Sequence, residues 1–185
     1  MSVKGTITKS DYIDYDRCMN VGQKLLNENR KPIIGLYIII SVNSGLRISD
    51  ILKLKWSDLE NDILKLQEKK TGKYREIQIN QAIKLAISKF KKTDGYIFLS
   101  QKKTVFSRQQ INASLKQVFQ REAKTLNVSS HSLRKSFGRR VYENNGESEK
   151  SLVYLSELFN HTSPAITRQY LGIRQEELND IYINL

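Results

Sequence analysis

The sequence predicts a mainly α-helical domain that carries one small antiparallel β-sheet. Three observations predict it. Apolar residues recur at helical spacing in separate stretches, among them Ile33, Leu36, Tyr37 and Ile40, then Ile83 and Ile87, then Ile111, Leu115 and Val118. A single region alternates as strands do, Ile63 to Gln67 and Tyr74 to Ile79, and a lysine-rich turn containing Gly72 joins its halves. The length of 185 residues suits one domain with its own core. The expected organisation is a single domain over residues 1–185, with a flexible lead over 1–8 and a tail over 173–185.

The elements follow in order. Thr8 with Asp11 three residues on marks a helix start, and that helix runs to about Asn29. Pro32 opens the core helix, which stops at Asn43-Ser44-Gly45. The turn from Gly45 to Asp50 leads into a short helix with Ile51, Leu52 and Leu54, and sets Arg47 between two apolar neighbours. An arginine in such a place needs an anion or a carboxylate; Asp50 is the nearest, and a plain Arg47–Asp50 surface pair is the bland alternative. The hairpin tip presents Lys69, Lys70 and Lys73. Asn80 caps a helix with Ile83, Ile87 and Phe90, while Tyr96 to Leu99 is a strand or an extended link. Ser107 and Gln110 form a capping box for a long helix through Phe119. His131 and Arg134, three residues apart, share one side of a helix reaching about Asn144, with Lys135, Arg139 and Arg140 following. Leu152, Leu155, Leu158 and Phe159 form a further amphipathic helix ending at Asn160. Ser163 as N-cap, Pro164 at the first position and Gly172 at the close define a short helix with Tyr170 near its end.

Charge and rare residues narrow the function class. A formal net charge of +12 points to a polyanionic partner, although surplus lysine also serves solubility. The lone Cys18 excludes an internal disulfide framework, and two histidines without a Cys–His cluster argue against structural zinc. A reducing cytoplasm fits. No apolar signal core opens the chain, and the longest apolar run, residues 33–40, is broken by Gly35 and too short to span a bilayer, so no membrane partner is expected.

The chemistry-bearing residues, in chain order, are Arg47, Lys70, His131 with Arg134, His161 and Tyr170, with no carboxylate cluster suited to a metal among them. Displacement at a phosphodiester spreads negative charge over the equatorial oxygens, which two always-charged planar arginines can hold. A lysine on a mobile tip can protonate a leaving 5′ oxygen, and imidazoles can accept a phenol proton or bond the phosphate. A tyrosine with ordinary pKa near 10 becomes a nucleophile only in such a field.

This ordered set resembles the tyrosine recombinase (phage integrase) family over about Pro32 to Gly172. The resemblance rests on Gly45-Leu-Arg-Ile-Ser-Asp50, Lys70-Thr-Gly72, His131-Ser-Leu-Arg134, and His161-Thr-Ser to Tyr170-Leu-Gly172. It implies the integrase catalytic-domain fold and DNA strand cleavage and rejoining on double-stranded DNA, without cofactor, metal or small-molecule substrate, in a homo-oligomer, a tetramer on DNA. By the same resemblance Arg47 and Arg134 clamp the scissile phosphate, Lys70 protonates the leaving oxygen, His131 is general acid or base, His161 bonds the phosphate and Tyr170 becomes a 3′-phosphotyrosine. Asp50 resembles the acidic residue that supports the first arginine and the histidine. A silent DNA-binding regulator on the same scaffold, or topoisomerase-like relaxation, are the alternatives.

The chain departs from the family pattern in three places. Phe159-Asn160 stands where many members have Leu-Gly before the histidine; Lys69 takes the acid role if the hairpin register slips by one; and at most one helix precedes the catalytic region. The last point fits either an excised domain or a compact recombinase. The tail's apolar Ile173, Leu178, Ile181 and Tyr182 are expected to dock on a groove, in cis or in trans.

Overall fold

Helix α2 (Pro32–Ser44) is the axis of the molecule, buried at every residue from Ile34 to Val42. A helix apolar all round holds only at the centre of a packed set. The computed structural model, which describes residues 10–91 and 94–184, surrounds it with α1 (Tyr15–Asn27), α4 (Gln81–Ile87), α5 (Arg108–Val118) and α6 (Ser130–Asn144). Gly22 and Gly35 set the approach of α1 to α2: a Cβ on Gly35 would lie 2.7 Å from the Gly22 carbonyl oxygen. The expected lead over residues 1–8 lies outside the described residues.

The first helix starts later than the sequence suggests. Its N-cap is Asp14, whose carboxylate accepts the Arg17 N–H at 2.7 Å. Asp11 caps nothing locally; its carboxylate accepts the Asn127 N–H at 2.7 Å, and Ser10 bonds Ser129 at 2.7 Å. Residues 10–13 are thereby held as a strap across the entry to α6, and those long-range bonds outcompete the local helix signal.

Strands β1 (Ile63–Gln67) and β2 (Tyr74–Gln78) pair antiparallel, with Ile63 opposite Gln78 and Gln67 opposite Tyr74. Glu68 N–H to Lys73 O and Gly72 N–H to Glu68 O, both 2.9 Å, close the tip. Tyr96 to Leu99 is an extended link with isolated bridges to Lys55 and Val105. After α6 come α7 (Glu149–Phe159), α8 (Pro164–Leu171) and α9 (Ile173–Ile183).

Two apolar clusters result. The larger surrounds α2 and includes Leu133 of α6; the smaller joins Tyr142 of α6 to Leu152, Leu155, Phe159, Leu171 and Ile173. Helix α6 therefore belongs to both, and the predicted functional residues gather at the seam between them. Among the described residues, no helix is long and apolar enough to cross a membrane.

Candidate active site

Two helix ends and one helix start build the site. Gly45 ends α2 in the left-handed conformation (φ 61°), and the chain then places Arg47 as N-cap of α3 (Ile48–Ile51). The start of α6 is fixed by Ser129 as N-cap and by the Asn112 carboxamide of α5, which accepts the Ser130 N–H at 2.9 Å. Asn160 ends α7, also left-handed (φ 55°), turning the Phe159 carbonyl toward both arginines. Arg47 donates to that oxygen at 2.7 Å and Arg134 at 3.4 Å; Arg134 also donates to the Gly45 carbonyl. The Arg134 guanidinium lies 4.3 Å from the Phe159 ring centroid, so one face of it is covered while two of its donors meet backbone carbonyls.

Tyr170 and His161 complete the cluster. Their ring centroids are 5.1 Å apart, edge to face, and each is 5.5 Å from Phe159. His161 Nδ1 is hydrogen-bonded to Thr167 Oγ1 at 2.9 Å, which fixes the ring. The Tyr170 hydroxyl is enclosed and without a hydrogen-bond partner, although Arg134 lies near enough to act on its charge. Burial raises the phenol to about 12, against the lowering fields of Arg134 and Arg47. At neutral pH the phenol at rest therefore keeps its proton. Both imidazoles are held below the ordinary range, His161 by burial and then the charges of Arg134, Arg47 and Lys70, His131 by partial desolvation and then Arg134 and Arg108. The lowering favours the neutral imidazole, which has one nitrogen free to accept. His131 itself stands exposed at the rim. Burial lowers Arg134 to about 10, which leaves it charged at neutrality.

Glu68 was not anticipated. It is 4% exposed and bridges two arginines, accepting from Arg47 at 2.7 Å and Arg75 at 2.9 Å, while Thr71 donates to it at 2.9 Å. Asp50 does not touch Arg47, contrary to the expectation of direct support. Its Oδ1 accepts the Lys69 N–H at 3.0 Å, anchoring the tip that carries Lys70. The physical reason is reach: Glu68 arrives from the end of β1 and meets both guanidiniums at once, whereas Asp50 lies within α3 facing the hairpin. Among residues flanked by lysines, an isolated acid next to a strand end was the available signal. Of the tip lysines, Lys73 donates to Asn160 Oδ1 at 2.7 Å, and Lys70 is exposed with its charge acting on His161. Among the described residues, no group of three or more His, Cys, Asp or Glu is placed to hold a metal.

Burial alone would raise the Glu68 carboxyl, but hydrogen bonds from Thr71, Arg75 and Arg47 outweigh it and hold it below the usual value. A depressed native pKa stabilises the fold above the unfolded value, near 4.3, and that contribution is lost as pH falls through the native pKa. Glu68→Gln is expected to cost about 2 kcal/mol or more at pH 7, since it leaves two guanidiniums short of an anion. Urea unfolding at neutral and acid pH checks this: the midpoints of wild type and variant should converge in acid, and a constant gap would refute the assignment.

The chain is similar to known proteins in sequence and shape. The profile of the phage integrase family matches residues 16–177. The probable integrase/recombinase YoeC of Bacillus subtilis (strain 168) is 34% identical over 175 residues, covering 90% of this chain and 91% of that protein. The tyrosine recombinase XerC of Xanthomonas axonopodis pv. citri is 26% identical over 146 residues, covering 76% of this chain and 47% of XerC, so the chain spans about half the length of that relative. The crystal structure of XerA recombinase superposes with TM-score 0.70 at 18% identity, covering 100% of this chain and 66% of the other. A lambda integrase dimer bound to a COC′ core site gives TM-score 0.66 at 20% identity, covering 94% and 51%.

Proposed function

The chain belongs to the phage integrase family, and we propose that it is a site-specific recombinase that cuts and rejoins duplex DNA through a covalent 3′-phosphotyrosine at Tyr170. The observation that carries the reading is the convergence of Arg47 and Arg134 on the Phe159 carbonyl, 2.7 and 3.4 Å, beside the His161–Tyr170 pair. A phosphodiester brings two anionic oxygens that replace this neutral acceptor, and charge-assisted bonds to guanidinium are the stronger ones. As the transition state gathers charge on those oxygens, both arginines bind it better than the ground state.

The step balances within these residues. Tyr170 Oη attacks phosphorus, a new P–O bond forms, and the bond to the 5′ oxygen breaks. The phenol proton passes to a neutral imidazole, His131 or His161, and Lys70 delivers a proton to the departing oxygen. Rejoining runs the same steps backward with the 5′ hydroxyl of a partner strand. The phosphodiester energy stays in the tyrosyl link, so no nucleotide enters the scheme, and the arginines supply the charge a metal would otherwise bring. The test is a trapping assay on nicked duplexes from the flanking DNA, where loss of the short 5′ fragment prevents rejoining. Protein covalently attached to a 3′ end is the expected product; attachment to a 5′ end, or DNA bound but uncut, would refute it.

We further propose that the active form on DNA is a homo-oligomer, a tetramer, in which α9 docks on a neighbouring subunit. Ile173 anchors the start of α9 in its own chain, while Leu178, Ile181 and Tyr182 are 40%, 58% and 75% exposed. Such apolar residues on one terminal helix gain most by burial against a partner. Deleting residues 178–184 is expected to reduce recombination between two sites at least about tenfold, by removal of about 2 kcal/mol or more of apolar contact. Single-site affinity should change less than about threefold. Band-shift titration beside a recombination assay separates the two, and equal losses would make α9 a merely structural helix.

A further inference from the structure

Lys135 follows Arg134 on α6 and has no part in the chemistry described above. It is 8% exposed, unusual for a lysine, which is seldom buried without a specific partner. Its ammonium lies 5.2 Å from the centroid of the Tyr170 ring, within the range at which a cation is attracted to an aromatic face. The charged groups around that ring divide by position. Arg134 and Arg47 act on the hydroxyl end, and His161 meets the ring edge to face at 5.1 Å. Lys135 takes the face. Beyond Lys135 lies a cavity of about 550 Å³ that Asp11, Arg174 and Glu176 also line, with Glu176 already paired to Arg139. The segment carrying Tyr170 is short, and Gly172 directly behind it closes the helix at φ 82°.

Resting on Tyr170 as the nucleophile, we propose that Lys135 is its positioning residue: the buried ammonium holds the phenol ring by its face and stabilises the negative charge that spreads into the ring as the hydroxyl proton leaves. A cation on the ring attracts phenolate more than phenol, because the ionised ring carries a full charge rather than a quadrupole alone. Burial amplifies the effect, since little water screens the pair. The role calls for a positive charge at that depth, which arginine can supply and methionine, of similar length and shape, cannot.

The experiment compares wild type, Lys135→Met and Lys135→Arg with two readouts. In free protein labelled with fluorotyrosine, whose lowered phenol pKa brings ionisation into a range the fold tolerates, the fluorine signal of Tyr170 is assigned by its absence in Tyr170→Phe and titrated. Lys135→Met is expected to raise that midpoint by about one pH unit, and Lys135→Arg to restore it. The second readout is the single-turnover rate of adduct formation at saturating nicked DNA. It should fall about tenfold in Lys135→Met and recover in Lys135→Arg, with thermal unfolding unchanged because methionine fills the space. An unmoved midpoint, or a loss confined to DNA affinity with the saturated rate intact, would overturn the proposal. If wild type forms no adduct at all, the recombinase reading falls, and the fluorine titration still decides whether Lys135 acts on Tyr170.

Discussion

Tyr170→Phe is expected to abolish the covalent protein–DNA adduct while leaving folding and DNA affinity at wild-type levels. The substitution removes one oxygen, and that oxygen is enclosed without a hydrogen-bond partner. A buried hydroxyl in that state destabilises the fold by about 1–3 kcal/mol relative to a satisfied one, so its loss costs no bond, and the variant should melt at or slightly above the wild-type temperature. The ring contacts with Phe159, His161 and Lys135 depend on the aromatic body and survive. Arg47 and Arg134, the arginines proposed to hold the phosphate, are untouched, so retained affinity is expected. Adduct is scored on denaturing gels and affinity by band shift on the same duplex. Adduct persisting in the variant would exonerate Tyr170 and point to another hydroxyl.

Much of this arrangement was legible in the sequence because local chemistry dictates it. Helix α2 lies between a proline at its first position and a left-handed glycine at its end, and α8 between Ser163-Pro164 and Gly172; these signals act within a few residues and nothing distant competes with them. His131 and Arg134 share a helix side wherever that helix goes. Phe159-Asn160, which differs from the common Leu-Gly, keeps the geometry that glycine serves. Asparagine tolerates the left-handed region better than most residues, and Asn160 occupies it at φ 55°. Phe159 then adds a ring under Arg134 that leucine cannot provide.

What was not legible depended on partners far along the chain. Asp11 reads as part of a helix start until Asn127, 116 residues away, claims its carboxylate. Glu68 reads as one acid in a lysine-rich turn until folding brings Arg47 and Arg75 to it, and then it is a buried carboxylate that bridges both guanidiniums. Asp50 reads as a support for Arg47, but its contact is the backbone of the hairpin tip rather than the arginine. Sequence spacing shows which residues are neighbours along an element; it does not show which of two nearby acids reaches a guanidinium first.

Lys70→Ala is expected to cut ordinary DNA about 10²- to 10⁴-fold more slowly than wild type, the range for losing a general acid. The reason lies in the leaving group: a 5′ alkoxide is too basic to depart unprotonated, so a proton must arrive as the P–O bond breaks. The tip places Lys70 at the surface, its neighbour Lys69 tied through its own N–H to Asp50, and its charge acts on His161. Replacing the bridging 5′ oxygen by sulfur removes the need for that proton, because a thiolate leaves unassisted. Lys70→Ala should then cleave the sulfur-bridged strand at close to the wild-type rate. Arg134→Ala should stay slow on both substrates, since its charge acts on the non-bridging oxygens, which sulfur at the leaving position does not change. Single-turnover cleavage of the paired substrates gives the answer. If Lys69→Ala is the variant that sulfur rescues, the acid is Lys69; if neither is rescued, the proton comes from outside the hairpin.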